Sequence, residues 1–207
     1  MELSISYCIS VCNEHKELSI LLNQLVASID SEDEIIILVD TSKITPEVSK
    51  VITDFKAFKH IELIGADLNG NFAEFKNNFI NIAKGNYIFQ IDADETLSED
   101  MFISLKQILE FNEEVDMFFI PRENYVSGIT QEHINRWRWQ VDEKGRINYP
   151  DYQQRLFKHH RNIKWKNKVH EVLEGYNTFA SLPQTHYLIH NKSIERQEQQ
   201  NSFYNTL

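Results

Sequence analysis

Residues 88–95 read Ile88-Phe89-Gln90-Ile91-Asp92-Ala93-Asp94-Glu95, an apolar run that ends in three carboxylates within four positions. The run has the length and character of a buried strand, and strand alternation places Asp92 and Asp94 on one face and Ala93 on the other. Two carboxylates so close repel unless one takes a proton or a hard cation sits between them. Oxygen ligands in that arrangement suit Mg²⁺ or Mn²⁺, which commonly hold a substrate phosphate as well. The competing reading is an acidic turn into the next helix, with Asp94 or Glu95 beside its N-cap.

Working outward, the chain alternates strand and helix. Strands are predicted over Leu3–Val11, Glu34–Val39 and His60–Ile64, helices over Lys16–Ser28 and Pro46–Phe58. A loop at Asp67–Asn71 leads to a helix over Phe72–Ala83, closed by Gly85, and then to the Tyr87–Ile91 strand. A helix over Glu99–Phe111 and a strand over Val115–Pro121 follow. This order implies right-handed crossovers and a mostly parallel sheet with helices on both faces. In such sheets ligands sit beyond the carboxyl ends of the strands. Asn13-Glu14, Asp40 and Asp92–Glu95 all fall at such ends, which is the pattern of a site.

Length and composition set the frame. The 207 residues suit one domain with a real core, 42% hydrophobic and 25% charged. The sequence has no apolar run long enough for a membrane helix and no basic-then-apolar leader at its start, so a cytoplasmic protein is expected. Cys8 and Cys12 lie four apart on the first predicted strand, too close along it for a bridge, and are expected to be reduced core thiols. Charge is unevenly placed: residues 132–170 hold 10 basic and 4 acidic residues inside a chain of net charge −10. That segment interleaves Trp137, Trp139, Tyr149, Tyr152, Phe157 and Trp165 with Arg136, Arg138, Arg146, Arg155 and several lysines. Aromatic faces and cations suit sugar rings and phosphates, and equally single-stranded nucleic acid. The plainer alternative is that these aromatics pack a sheet edge. The polar tail from Ser193 to Leu207 reads as a helix for scaffolding or a partner.

The motifs together resemble family-2 glycosyltransferases of the GT-A fold. The likeness rests on Ile9-Ser10-Val11-Cys12-Asn13-Glu14, Val39-Asp40-Thr41-Ser42, Asn71-Phe72-Ala73 with Lys76-Asn77, Ala83-Lys84-Gly85-Asn86-Tyr87-Ile88 and Asp92-Ala93-Asp94-Glu95. Downstream, Gln153-Gln154-Arg155-Leu156-Phe157, Trp165 and Val169-His170-Glu171 are similar to the subgroup that includes lipopolysaccharide-core glucosyltransferases. The resemblance implies an α/β nucleotide-sugar half over 1–121, an aromatic and basic acceptor-side half over 122–192, and a C-terminal helix over 193–207.

It also implies roles. Asp40 would bind the nucleotide base, Asn13 and Glu14 would lie against the nucleoside, and Lys76 and Arg155 would serve the donor. Asp92 would stand near the ribose and metal, Asp94 would be the direct ligand of Mn²⁺ or Mg²⁺, and His190 would reach back to the metal or diphosphate. Glu171 is expected as the general base, with Asp151 as the other candidate. The reaction implied is inverting transfer of a hexose from a nucleoside diphosphate, expected to be UDP, to an acceptor hydroxyl, and the basic segment leaves open an anionic acceptor: a glycan, a glycolipid or modified nucleic acid. Two departures stand out: Lys76-Asn77 replaces the usual Arg-Asn, and Ser42-Lys43-Ile44-Thr45 replaces Gly-Ser-Thr-Asp. A lysine cannot make the bidentate phosphate contact of an arginine. Two other classes stay open. A nucleotidyltransferase would show a glycine-rich basic loop after the first strand, where Cys12-Asn13-Glu14-His15 stands instead. A non-catalytic nucleotide-sugar-binding module would keep Asp40 without a base.

Overall fold

A computed structural model describes residues 3–160 and 162–204. The first half alternates β1 (Ile5–Val11), α1 (His15–Ser28), β2 (Glu34–Asp40), α2 (Pro46–Phe55), β3 (Ile61–Ala66), α3 (Phe72–Ile82) and β4 (Tyr87–Asp92). A short β5 (Glu95–Leu97) and α4 (Glu99–Phe111) lead to a long β6 (Met117–Ser127), then α5 (Gln131–Trp137) and β7 (Asp151–Lys158). The chain ends with β8 (Lys164–Lys166), β9 (Val172–Glu174), β10 (Phe179–Ser181), β11 (Leu188–Ser193) and α6 (Ile194–Tyr204). Residues 205–207 of the predicted tail lie outside the described residues.

One sheet carries the fold, in the order β3-β2-β1-β4-β7-β6-β11-β5, with β10 also paired to β6. The pairs β3–β2, β2–β1 and β1–β4 are parallel, as the alternation of strand and helix requires. Beyond β4 the sheet is mixed: β7 runs antiparallel to both β4 and β6, and β11 lies parallel to β6. The second half therefore threads back into the first. β6 also crosses the boundary expected at Pro121 without a break. Pro121 is tolerated because it falls between β10, which pairs residues 117–119, and β11, whose pairing starts at Arg122. One flank of the proline carries no ladder to break.

Period-two alternation sorts the strand residues into two cores. Ile5, Tyr7, Ile9, Ile35, Ile37, Phe89 and Ile91 face α1, α2 and α4, whose Leu18, Leu22, Ile52, Met101 and Leu105 close that side. Cys8, Ile36, Leu38 and Ile88 face α3, through Phe75 and Phe79, together with Phe157 and Trp165. Thus helices do cover both faces, and β2 is apolar on both because it is covered on both. Asn71 starts α3 by accepting from the Glu74 amide, and Asn77 fastens β8 to the helix by bonding both the N–H and the C=O of Trp165. Gly85 passes so close to β1 that a Cβ there would stand 2.6 Å from the Ser6 nitrogen.

Several boundaries differ from expectation. The helix predicted to reach Phe58 stops at Phe55, where Lys56 and Phe58 make tighter three-residue turns. Cys12 lies just past the end of β1, half-exposed, so only Cys8 is a core thiol. Both cysteines are free. Among the described residues no helix is long and apolar enough to cross a membrane.

Candidate functional site

The carboxyl ends of β1, β2 and β4 open on a cavity of about 820 Å³. Asp40, Asp92 and Asp94 line it, and so do Glu14, Lys76, Asp151, Arg155, Glu171 and His190. Asn13 does not: it is exposed on the turn before α1, off the cavity wall. Glu14 is turned inward on its own loop, accepting from the amides of Cys12 and Asn13 with one oxygen and from Arg196 with the other.

Strand alternation is not what presents the two aspartates. β4 ends at Asp92, and a turn at Ala93-Asp94 folds the chain into β5, so that both side chains reach the cavity across the turn. Their partners differ. Arg155, 4% exposed, donates to Asp92 at 2.6 Å and to Glu95 at 3.0 Å, while Lys76 stands 3.8 Å from Asp92. Burial alone would raise the Asp92 carboxyl, but the charge of Arg155, then that of Lys76, outweighs it and holds the group well below the usual carboxylate range. In the sequence Glu95 is one more acid of the cluster, and the structure gives it a separate part. It is fully buried, accepts from the Asp92 amide, and is the shared counter-ion of Arg122 and Arg155. Arg155→Met would strip Glu95 and Asp92 of that guanidinium. The expected cost is about 3–5 kcal/mol of stability, the scale for breaking a buried pair, read as a shift in the urea midpoint.

Asp94 is paired instead with His190, whose Nε2 lies 3.3 Å from its carboxylate. Burial works upward on Asp94, yet the hydrogen bond and charge of His190 bring it down to about 2. The network assigns the protons around the ring. Asn124 donates its amide nitrogen to Asp151, so its carbonyl oxygen is the atom facing His190 Nδ1 at 2.9 Å. Nδ1 therefore donates, and Nε2 meets an acceptor, Asp94. Two acceptors on one imidazole are satisfied either by a second ring proton or by a cation held between Nε2 and the carboxylate.

That pair is the fit test for a metal. Imidazole beside carboxylate is a donor set for Mn²⁺ more than for Mg²⁺. Asp92, expected as a further ligand, is instead committed to Arg155. Among the described residues no three His, Cys, Asp or Glu side chains gather as a metal cage, so substrate and water would have to supply most of the coordination. The wall also carries six carboxylates, Glu14, Asp40, Asp92, Asp94, Asp151 and Glu171, against four cations, Lys76, Arg122, Arg155 and Lys192. A dianionic ligand entering this cavity needs an added positive charge.

The two base candidates are held differently. Asp151 accepts from Arg122, Asn124 and Gln153, and although burial raises its carboxyl, the charge of Arg122 keeps it low. Glu171 has one partner, Lys76 at 2.5 Å through Oε1, and among the described residues nothing bonds its Oε2. Lys76 also stands over the Trp165 ring at 5.0 Å from its centroid, so it organises Glu171 and Asp92 and is not free for a ligand. Asp40 shows a like asymmetry: Oδ1 takes Ser42 N, Ser42 Oγ and Leu68 N, and among the described residues Oδ2 is left open.

The basic segment brings little charge to the cavity, and its Arg138, Lys144, Lys164, Lys166 and Lys168 stand exposed outside it. Of its cations named above only Arg155 lines the cavity, and Arg146 is spent on Glu123 and Asp142. Its aromatics divide: Phe157 is core, Trp165 is core and also borders the cavity, and Trp139 and Tyr152 lie on the cavity wall. The tail, expected as scaffold, also reaches the site, for Gln197, Gln200 and Tyr204 of α6 line it.

Comparison with known proteins gives this site a family. The sequence profile of Glycosyl transferase family 2 matches residues 6–179. Residues 1–349 of TarS from S. aureus match with a TM-score of 0.65 at 12% identity, over 91% of this chain and 60% of that one. The same S. aureus segment crystallised with UDP-GlcNAc matches at 0.64 and 14%, over 92% and 59%. At such identities the likeness is one of fold. An uncharacterized protein, y4gI, of Sinorhizobium fredii is 25% identical over 95 residues, 45% of this chain and 10% of the relative. The chain thus spans about three fifths of the TarS structures and a tenth of y4gI.

Proposed function

The chain belongs to glycosyl transferase family 2, and on that premise we propose that it moves a sugar from a nucleoside diphosphate to an acceptor hydroxyl. The observation that carries the reading is the convergence of Asp40, Asp92 and the Asp94–His190 pair on one cavity at the carboxyl ends of parallel strands. The open Oδ2 of Asp40 suits a ring N–H of a nucleobase, which uracil and guanine offer and adenine and cytosine do not. UDP-GlcNAc is what the structurally similar TarS segment was crystallised with, and a UDP-sugar is the donor proposed here.

Asp94 and His190 would hold Mn²⁺ or Mg²⁺. When bound, such an ion supplies Lewis-acid neutralisation of the departing diphosphate. Arg155 and Lys76 hold Asp92 ionised and oriented beneath the donor, and Glu95 keeps Arg155 in place. Glu171 takes the proton of the acceptor hydroxyl through Oε2, while Lys76 fixes the carboxylate through Oε1. Attack opposite the leaving group in one displacement inverts the anomeric carbon. Trp139 and Tyr152 offer ring faces where the acceptor enters, which suits a glycan or glycolipid.

Thermal-shift titration with UDP, GDP, ADP and their sugars, with and without Mn²⁺, tests the donor reading. A donor present at 100 times its Kd should add about 2.7 kcal/mol of stability, and UDP should do so only with the metal. If no nucleoside diphosphate moves the melting temperature under either condition, the proposal fails.

A further inference from the structure

The wall opposite Asp94 is built by register. β6 and β11 pair so that Leu188 lies beside Arg122, His190 beside Asn124 and Lys192 beside Val126. Alternate residues share a face, and Arg122, Asn124, Val126, His190 and Lys192 all line the cavity. Lys192 is the last of these before the chain turns into α6. It is 9% exposed, and its ammonium donates to Gln200 Oε1 at 2.6 Å.

The cations around this cavity are otherwise matched to carboxylates. Lys76 has Glu171 at 2.5 Å, Arg122 has Asp151 at 2.7 Å, Arg155 has Asp92 at 2.6 Å, and Arg196 has Glu14 at 2.7 Å. Lys192 alone, among the described cavity cations, has no carboxylate within 4.0 Å. Asp94 and Asp92 act on it only from beyond ion-pair distance, and placing an ammonium in so enclosed a position with one neutral amide as its hydrogen-bond partner is costly. A chain that keeps it there has an anion to bring to it.

We propose that Lys192 binds the diphosphate of the donor and takes up the charge released when the sugar leaves, a role that rests on the glycosyltransferase reading. In the transfer, the bond between the anomeric carbon and the diphosphate oxygen breaks and its electron pair stays on that oxygen. The acceptor oxygen forms the new bond to the anomeric carbon, and its proton passes to Glu171. The diphosphate gains one negative charge at that moment, and an ammonium already stripped of water needs no reorganisation to meet it. Arg196 comes within 3.8 Å of Asp94 as well, but its guanidinium is already committed to Glu14 at 2.7 Å and Glu17 at 3.2 Å, which seats α6. Gln200 holds Lys192 toward the cavity, which gives α6 a place in the site.

The test compares wild type, Lys192→Met and Lys192→Arg for binding of UDP, uridine and inorganic pyrophosphate by calorimetry in Mn²⁺. Lys192→Met should weaken UDP and pyrophosphate on the order of 10- to 100-fold, the worth of one hydrogen bond to a charged group, and leave uridine unchanged. Lys192→Arg should restore most of the loss. Lys192→Gln, which keeps a polar end, covers the case that the methionine variant does not fold. UDP binding at wild-type strength in Lys192→Met or Lys192→Gln, or an equal loss for uridine, would overturn the assignment. Wild type that binds neither UDP nor pyrophosphate would bring down the donor reading itself.

Discussion

Replacing Asp94 by alanine is expected to abolish Mn²⁺-dependent nucleotide binding in a protein that still folds cooperatively. Asp94 is the one carboxylate at the site whose partner, His190, is itself a metal ligand type, and both face the cavity. Removing it leaves a single imidazole, which cannot hold a hard divalent ion against water. The fold should survive because the wall is crowded with negative charge, and Asp92 and Asp94 push against each other. Losing one acid offsets part of the lost His190 contact. Calorimetry of UDP with Mn²⁺, beside a thermal melt, reads both halves. Metal-dependent UDP binding that persists in the alanine variant removes Asp94 from the ligand role. Asp92→Asn is expected to behave differently, because it takes from Arg155 one of its two carboxylates, leaving Glu95, and so acts on the donor's seat and not on the ion.

Much of this was legible before any coordinates. The alternation of short apolar runs with amphipathic segments gave the parallel half, since strands buried on both faces have few other readings. Ile36 and Leu38 pointing one way and Ile35 and Ile37 the other is that pattern made concrete. Asp40, Asp92 and Glu171 stand out in the sequence because strand ends and recognisable strings mark them, and all three line the cavity. What could not be read was pairing. Glu95 looks like one more acid in a turn, and only the return of β7 between β4 and β6 brings Arg155 over it and reveals a buried counter-ion. Arg122 gains its meaning the same way. Charge density along the chain does not say which cations are already spent, as Arg146 is on Glu123 and Asp142 and Lys158 on Asp116, or which lie outside the cavity, as Lys164, Lys166 and Lys168 do. Lys192 could have been found: it stands two residues past His190 on a strand, and so on the same face. The tail could not, since nothing in its glutamines foretells that Gln200 would meet Lys192.

Glu171→Gln is expected to lower sugar transfer by roughly two to four orders of magnitude while leaving UDP affinity within a few-fold of wild type. Glutamine keeps the shape and still accepts from Lys76 through its carbonyl oxygen, but it has no charge and takes no proton, and general-base assistance is typically worth about 10²–10⁴-fold. The competing role for Glu171 is counter-ion to Lys76, which is 5% exposed and would otherwise lean on Asp92 alone, 3.8 Å away. The two roles separate in a double variant. If Glu171 serves only to neutralise Lys76, Lys76→Met together with Glu171→Gln transfers sugar as fast as Lys76→Met alone, because no lysine charge is left to neutralise. If Glu171 is the base, the double variant is slower than Lys76→Met alone by the same roughly two to four orders of magnitude. Glu171 has the better geometry for that work than Asp151, whose carboxylate is taken by Arg122, Asn124 and Gln153 and is held low by Arg122. A carboxylate so fully engaged must give up hydrogen bonds to accept a proton, whereas among the described residues nothing bonds Oε2 of Glu171, and an acceptor would find its lone pairs open.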